Sequence, residues 1–269
     1  MNLPALKPFF QCIAAACGAV LLLWLASAAP ARALVASDGE MATLVTVNAA
    51  SYVPRLAPGA IAVAFGTRLA ESSLVAESLP LPVSLHGIGV RVLDSQNYLF
   101  SAPLFFISPG QINFLIPEQA ALGEARIFIF NEDESIAQGN LLITNSAPAL
   151  FTFTANGKGA PTALTTYDGE HFAVVANADG SLRSFRPSRP SKLNYLLLFG
   201  TGFRYAHRLR VKLGEVEIKP VYAGAQGVLA GLDQINLVLP TALPAGLVNL
   251  QVISDGYASN VVQVQVAAN

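Results

Sequence analysis

Three histidines, His86, His171 and His207, are the side chains in this sequence best suited to moving protons or holding a metal. None stands in a His-x-x-x-His or His-Glu-x-x-His spacing, so no helix face presents two imidazoles to zinc. His171 alone has carboxylates close by, Asp168 and Glu170 on either side of Gly169. An acid–base or metal site can use that grouping, although Asp-Gly is first of all a hairpin turn. His86 precedes Gly87 and reads as a loop residue. Ser108 and Ser254 as nucleophiles rest on identity alone, since no Gly-x-Ser-x-Gly elbow is present. The run Glu132-Asp133-Glu134 offers carboxylates to calcium, but neighbouring side chains of an extended chain face opposite ways, which favours a solvated hairpin tip. The expectation is no catalytic residue, no metal and no cofactor.

Charge is the second chemistry available. Lys and Arg total 16 against 17 Asp and Glu, and charged residues are 12% of the chain, about half the usual share. No overall field draws the chain to nucleic acid, and none is expected as a partner. The balance conceals an asymmetry: residues 34–178 hold 5 Lys/Arg against 12 Asp/Glu, and residues 179–269 hold 9 against 5. Between residues 179 and 214 eight cations face only Asp179. Arg183, Phe185, Arg186, Arg189, Lys192, Arg204 and Arg208 form the candidate contact patch, mixing cations with an aromatic ring and the prolines Pro187 and Pro190. Such a segment suits an anionic glycan, a lipid surface or the acidic first half of the chain itself.

The elements that must carry these residues begin after an address. Residues 1–33 read as a secretory signal: Lys7, then a run from Phe9 to Ala29 that is apolar apart from Gln11 and Ser27, then Ala31-Arg32-Ala33 as the cleavage site. The competing reading is an uncleaved anchor over residues 13–31. Both cysteines, Cys12 and Cys17, fall in this segment, so the chain beyond it has no disulfide and no thiolate site. Secretion, or a periplasmic or cell-surface location, is expected, with no stable membrane insertion once the signal is cleaved.

With 53% hydrophobic residues, 21 Gly and 17 Pro, the rest of the chain reads as turn-rich β structure. Short runs such as Gly89-Val90-Arg91-Val92-Leu93 and Val262-Gln263-Val264-Gln265-Val266 alternate with period two, and no segment reads as a helix of three turns. Gln111-Ile112-Asn113-Phe114-Leu115-Ile116-Pro117 returns 123 residues later as Gln234-Ile235-Asn236-Leu237-Val238-Leu239-Pro240. Phe65-Gly66-Thr67 returns as Phe199-Gly200-Thr201, 134 residues later. The eleven extra residues of the first copy are placed in a long loop over residues 71–85. The expected fold is all-β: two tandem immunoglobulin-like antiparallel β-sandwich domains after an N-terminal signal helix. The expected division is residues 1–33 signal, 34–147 first domain, 148–193 a turn-rich connecting segment with first strands of the second domain, and 194–269 the second sandwich.

Gly59, Gly66, Gly200 and Gly202 are read as turns, bulges or positive-φ positions. Asn113 and Asn236, polar among apolar neighbours, are expected to hydrogen-bond a nearby loop backbone; binding sugar is the functional alternative.

At Val47-Asn48-Ala49-Ala50-Ser51-Tyr52, Ala57-Pro58-Gly59, Ser108-Pro109-Gly110-Gln111-Ile112-Asn113 and Tyr222-Ala223-Gly224 the chain resembles the Solibacter-type secreted C-terminal domain family, which is similar in pattern to immunoglobulin-like IPT/TIG modules. The resemblance implies β-sandwich repeats and export, and brings no activity with it. The expected function is an exported non-catalytic interaction or structural module binding protein or polysaccharide at the cell exterior. The alternative is a secreted carbohydrate-active or hydrolytic enzyme whose site lacks a familiar motif.

Overall fold

The computed structural model describes residues 42–268. The signal segment lies outside the described residues. Among the described residues there is no helix, and no helix long and apolar enough to cross a membrane. The chain divides into two units, the first ending at Ala147 and the second beginning at Pro148.

In chain order the first unit contains β1 (Ala42–Thr43), β2 (Val45–Asn48), β3 (Ile61–Phe65), β4 (Leu74–Val75), β5 (Ser84–Leu85), β6 (Ile88–Leu93), β7 (Leu99–Ala102), β8 (Leu104–Ile107), β9 (Gln111–Leu115), β10 (Gly123–Asn131) and β11 (Glu134–Ile143). They form one sheet in the order β1-β11-β10-β6-β5, with β7 also on β6, and a second in the order β2-β3-β9-β8-β4. Alternation decides which faces meet. Val90 and Val92 from β6 and Ile127 and Ile129 from β10 are at most 1% exposed, and Ala62, Ala64, Ile112 and Phe114 close the core from the other sheet. Each such aliphatic side chain contributes about 1.5–3 kcal/mol by leaving water.

The second unit repeats the plan with β12 (Ala149–Leu150), β13 (Ala163–Thr166), β14 (Ala173–Val174), β15 (Ser184–Phe185), β16 (Tyr195–Thr201), β17 (Leu209–Leu213), β18 (Val216–Ile218), β19 (Tyr222–Ala225), β20 (Asp233–Val238), β21 (Gly246–Ser254), β22 (Tyr257–Ala258) and β23 (Val262–Val266). One sheet runs β14-β13-β16-β20-β19 with β12 on β16; the other runs β15-β23-β21-β17-β18 with β22 on β21. Val262, Val264 and Val266 point inward, with the intervening glutamines half-exposed. Two immunoglobulin-like sandwiches in tandem result.

The repeats correspond in the strands that carry the repeated motifs. β9 and β10 return as β20 and β21, and a two-residue strand lies parallel to the last strand in both units: β1 on β11 and β15 on β23. The extra residues of the first copy are not wholly loop, because β4 pairs with β8 and β5 with β6. In the second copy the lengthening falls instead between β12 and β15. There β13 and β14 pair antiparallel, Leu164 opposite Val174, and β13 joins β16.

Two of the four glycines singled out in the sequence have the positive φ expected of turns, Gly59 at 72° and Gly202 at 83°. Gly66 and Gly200 do not: Gly66 directly follows β3, and no bulge interrupts the pairing of Gly200 with Asp233. Their requirement is space. A Cβ on Gly66 would lie 2.9 Å from Leu69 Cδ2, and one on Gly200 would lie 2.1 Å from the Ala149 carbonyl oxygen.

Candidate functional site

The structure scatters the seven residues of the basic patch. Phe185 lies in the second core, 6% exposed, because β15 seats it opposite Val266. Arg204 is withdrawn into an ion pair: its Nε donates to Asp233 Oδ1 at 2.7 Å, with the Arg204 side chain 9% exposed and that of Asp233 fully buried. Asp233 Oδ2 also accepts the backbone N–H groups of Phe203 and Arg204. Burial pushes the Asp233 carboxyl up to about 6 against the pull of Arg204 and these N–H groups.

Arg208 is exposed but belongs to the opposite end of the sandwich from Arg186. Phe185 and Val266 stand at the Gly246 end of β21, whereas Leu209 pairs with Ser254 at its other end, about 26 Å along the strand. Arg210, on the same basic stretch, is paired with Glu217 at 3.1 Å.

Arg183, Arg186, Arg189 and Lys192 remain on the surface. The last three sit on one short connection from β15 to β16, and hydrogen bonds fix it. Arg189 and Lys192 exchange backbone bonds of 2.8 and 3.0 Å, Ser188 Oγ accepts the Asn194 N–H at 2.9 Å, and Asn194 Nδ2 donates to the Arg186 carbonyl at 2.6 Å. Lys192 Nζ lies 4.5 Å from the centre of the Tyr167 ring, a cation held on an aromatic face.

Tyr167 opens the β13–β14 connection, which carries Asp168 and His171. Asp168 Oδ1 accepts the N–H groups of Glu170 and His171, and His171 Nδ1 meets Asp168 Oδ2 at 2.8 Å. Those backbone bonds and the imidazole hold the Asp168 carboxyl far below the usual range, while the bond to Asp168 raises His171. The depressed acid stabilises the loop above its ordinary pKa, near 4, and loses that effect as pH falls. The raised base stabilises it below its ordinary pKa, near 6.5, and loses that effect as pH rises through the higher value. The turn is therefore tightest between those limits. A proton titration should give His171 a higher midpoint in the wild type than in Asp168→Asn; coincident midpoints would show that the pair does not persist in solution. Catalysis asks more of such a pair: with the imidazole 86% exposed, nothing excludes water from it.

Two of the remaining sequence candidates are turns. His86 and Gly87, with φ of 46° and 81°, form the two-residue β5–β6 connection. Glu132 and Asp133 make the β10–β11 turn, where Asn131 faces Glu134. Among the described residues no three His, Cys, Asp or Glu side chains group as metal ligands. Asn113 and Asn236 differ from the expected loop contact in the same way: each accepts a bond from the Gln two residues before it, Gln111 at 2.6 Å and Gln234 at 2.7 Å. Period two puts both amides on one face of the strand, so they bond to each other.

One arrangement had no signal in the sequence. On the solvent face of the first unit Arg91 Cζ lies over the Phe130 ring at 4.2 Å and Arg126 Cζ over the Phe128 ring at 5.4 Å, with the two rings 6.4 Å apart. Beside Arg126 is an open depression of ≈ 590 Å³ lined by Asp94, Ser95, Asn97, Glu124 and Asn140 among others. Arg126, Phe128 and Phe130 share one face of β10 by period two, and the register of β6 against β10 adds Arg91.

No protein-family model and no curated protein matches the chain. Among solved structures it is similar to the surface glycan-binding protein SGBP-B of the mixed-linkage glucan utilization locus of Bacteroides ovatus, at 12% identity over 86% of this chain and 46% of that one, TM-score 0.37. It is similar also to the surface glycan-binding protein PbSGBP-B from Prevotella bryantii, at 10% identity over 87% and 41%, TM-score 0.26. A third is the Escherichia coli adhesin FdeC, at 12% identity over 84% and 64%, TM-score 0.24. The chain spans less than half the length of the two glycan-binding proteins it matches.

Proposed function

We propose that this protein is an exported, non-catalytic binding module that holds a protein or polysaccharide at the cell exterior through the β15–β16 end of its second unit. The observation that carries the reading is the fixed connection bearing Arg186, Arg189 and Lys192. Hydrogen bonds tie it down at Arg186, Ser188, Arg189, Lys192 and Asn194, its three cations are exposed, and Lys192 Nζ lies over the Tyr167 ring. Loops ordered before contact lose little entropy on binding, which is what a recognition surface requires. Arg183 extends the same charge along the sheet edge, where its N–H bonds the Val175 carbonyl. The secretory pattern of residues 1–33 supports export.

Exposed cations act through a screened field, so binding should weaken steeply once salt shortens the Debye length below about 8 Å. The triple replacement Arg183→Ser, Arg186→Ser, Arg189→Ser should abolish salt-sensitive retention on a glycan array and on extracted cell-surface protein. Retention unchanged by the three substitutions removes this end from the reading. The Asp168–His171 pair favours the second reading, a secreted carbohydrate-active or hydrolytic enzyme. Turnover of any substrate in a hydrolase panel, lost in His171→Ala, would replace the module with that enzyme.

A further inference from the structure

We infer that the outer face of the β11-β10-β6 sheet in the first unit binds a uronate-bearing polysaccharide, with Arg91 and Arg126 gripping the sugar carboxylates. This surface is on the other unit from the β15–β16 end and goes beyond the function proposed there.

The outward face of β10 departs from the usual alternation. Along β10 the inward residues Ala125, Ile127 and Ile129 are at most 5% exposed, and the outward set is Glu124, Arg126, Phe128 and Phe130. A solvent-facing set normally avoids large rings. Here two phenylalanines are half-exposed in mid-sheet, and each carries a guanidinium over its face. Stacking uses the flat side of a guanidinium and leaves its in-plane N–H donors, the fork that matches a carboxylate. Among the described residues neither arginine makes an ion pair, although residues 42–147 hold 4 Arg against 8 Asp and Glu. Two of four cations are thus reserved from abundant internal carboxylates, and the charge they complement must come from outside.

The remaining surroundings choose the ligand class. At the Arg126 end the depression supplies amides from Asn97 and Asn140 and the carboxylate of Glu124, groups that bond hydroxyls rather than anions, while the Asp94 carboxylate that also lines it accepts the N–H groups of Gln96, Tyr98 and Ala121. Its volume of ≈ 590 Å³ is within the range of pockets that hold small ligands. A ligand rich in hydroxyls with intermittent carboxylates, laid across ring-backed guanidiniums, satisfies both ends. An acidic peptide fits poorly. β10 is bonded on both sides, to β6 and to β11, so no free strand edge offers its backbone to an added strand. Each ring has a guanidinium over it, which leaves no apolar pocket for an anchoring side chain.

Calorimetric titration of the full chain with tetragalacturonate, an alginate tetrasaccharide, methyl-esterified tetragalacturonate and tetraglutamate tests the assignment. At least one of the two uronate oligosaccharides should bind. Its affinity should fall at least tenfold in Arg126→Gln and in Arg91→Gln, and by a similar factor when the carboxylates are esterified. Phe128→Leu, which keeps an apolar side chain but removes the ring beneath Arg126, should weaken binding in a protein of unchanged circular dichroism. The inference is overturned if neither uronate binds, if the methyl ester or tetraglutamate binds as tightly, or if both arginine variants bind like the wild type. Loss of uronate binding in Arg186→Ser, Arg189→Ser with retention in the Arg91 and Arg126 variants overturns it too, and leaves the second-unit site standing.

Discussion

Replacing Arg204 with Ala should lower the stability of the second unit by about 3–5 kcal/mol, the cost of leaving one member of a buried ion pair without its partner. Asp233 has no route to water: its side chain is fully buried, and it already receives the N–H groups of Phe203 and Arg204. Without the guanidinium the carboxyl must remain charged in a poor solvent or take up a proton. Asp233→Asn should be milder, about 1–2 kcal/mol, for a geometric reason. An asparagine oxygen can still accept the two backbone N–H groups, and the long Arg204 side chain, already 9% exposed, can reach solvent. The asymmetry should grow with pH. A carboxyl raised to about 6 contributes stability that is complete below its unfolded value near 4 and is lost as pH rises through 6. Removing Arg204 takes away the attraction opposing that rise, so its penalty should be larger at pH 7.5 than at pH 4.5. Urea denaturation at both pH values, with hydrogen exchange over residues 148–268 to assign the loss, checks the result. Equal penalties for the two substitutions, or a penalty independent of pH, would mean that Asp233 is solvated in solution.

Gly200→Ala should be as damaging, with a loss of about 3 kcal/mol or more, at the upper end of overpacking effects. The methyl carbon would sit 2.1 Å from the Ala149 carbonyl oxygen, 3.1 Å from its carbon and 2.7 Å from Phe203 Cε1. Backbone of the paired strand is what stands in the way, since Leu150 faces Gly200 in the β12–β16 ladder. Relief therefore requires β12 to leave the sheet. Gly66 is the internal control, because it occupies the same place in the repeated Phe-Gly-Thr motif. Its added carbon meets only the ends of Leu69 and Leu44, at 2.9 and 3.0 Å. Those side chains can rotate, so Gly66→Ala should cost about 1 kcal/mol. Comparable urea midpoints for the two variants would show that β12 yields as readily as a leucine side chain.

What the residues disclose in advance follows from how far each signal reaches along the chain. β6, β10, β17 and β23 alternate over five residues or more, and their inward faces can be read directly. β4, β5, β14 and β15 are two residues long, too short to show any period, and exist because a neighbouring strand offers bonds. Contact between charges is less legible still. Arg186 and Arg208 look like members of one cluster, yet the chain crosses the sandwich along β16 between them. Arg204 finds Asp233 at 29 residues' separation, and Arg91 finds Phe130 through the β6–β10 register. The Asp168–His171 contact was readable because three residues in a turn need no register at all.

The short parallel strands β1 and β15 also bear on how these sandwiches behave when crowded. Each lies along the outer side of the last strand of its unit, on β11 at Ala137 and Gln138 and on β23 at Gln265 and Val266. A last strand without such cover presents unpaired peptide groups, the template from which one chain recruits the next into fibres. The cover is partial: β1 meets two of the ten residues of β11, and β15 two of the five of β23. Where those contacts form, the last strand of each unit is withdrawn from pairing with a neighbouring copy.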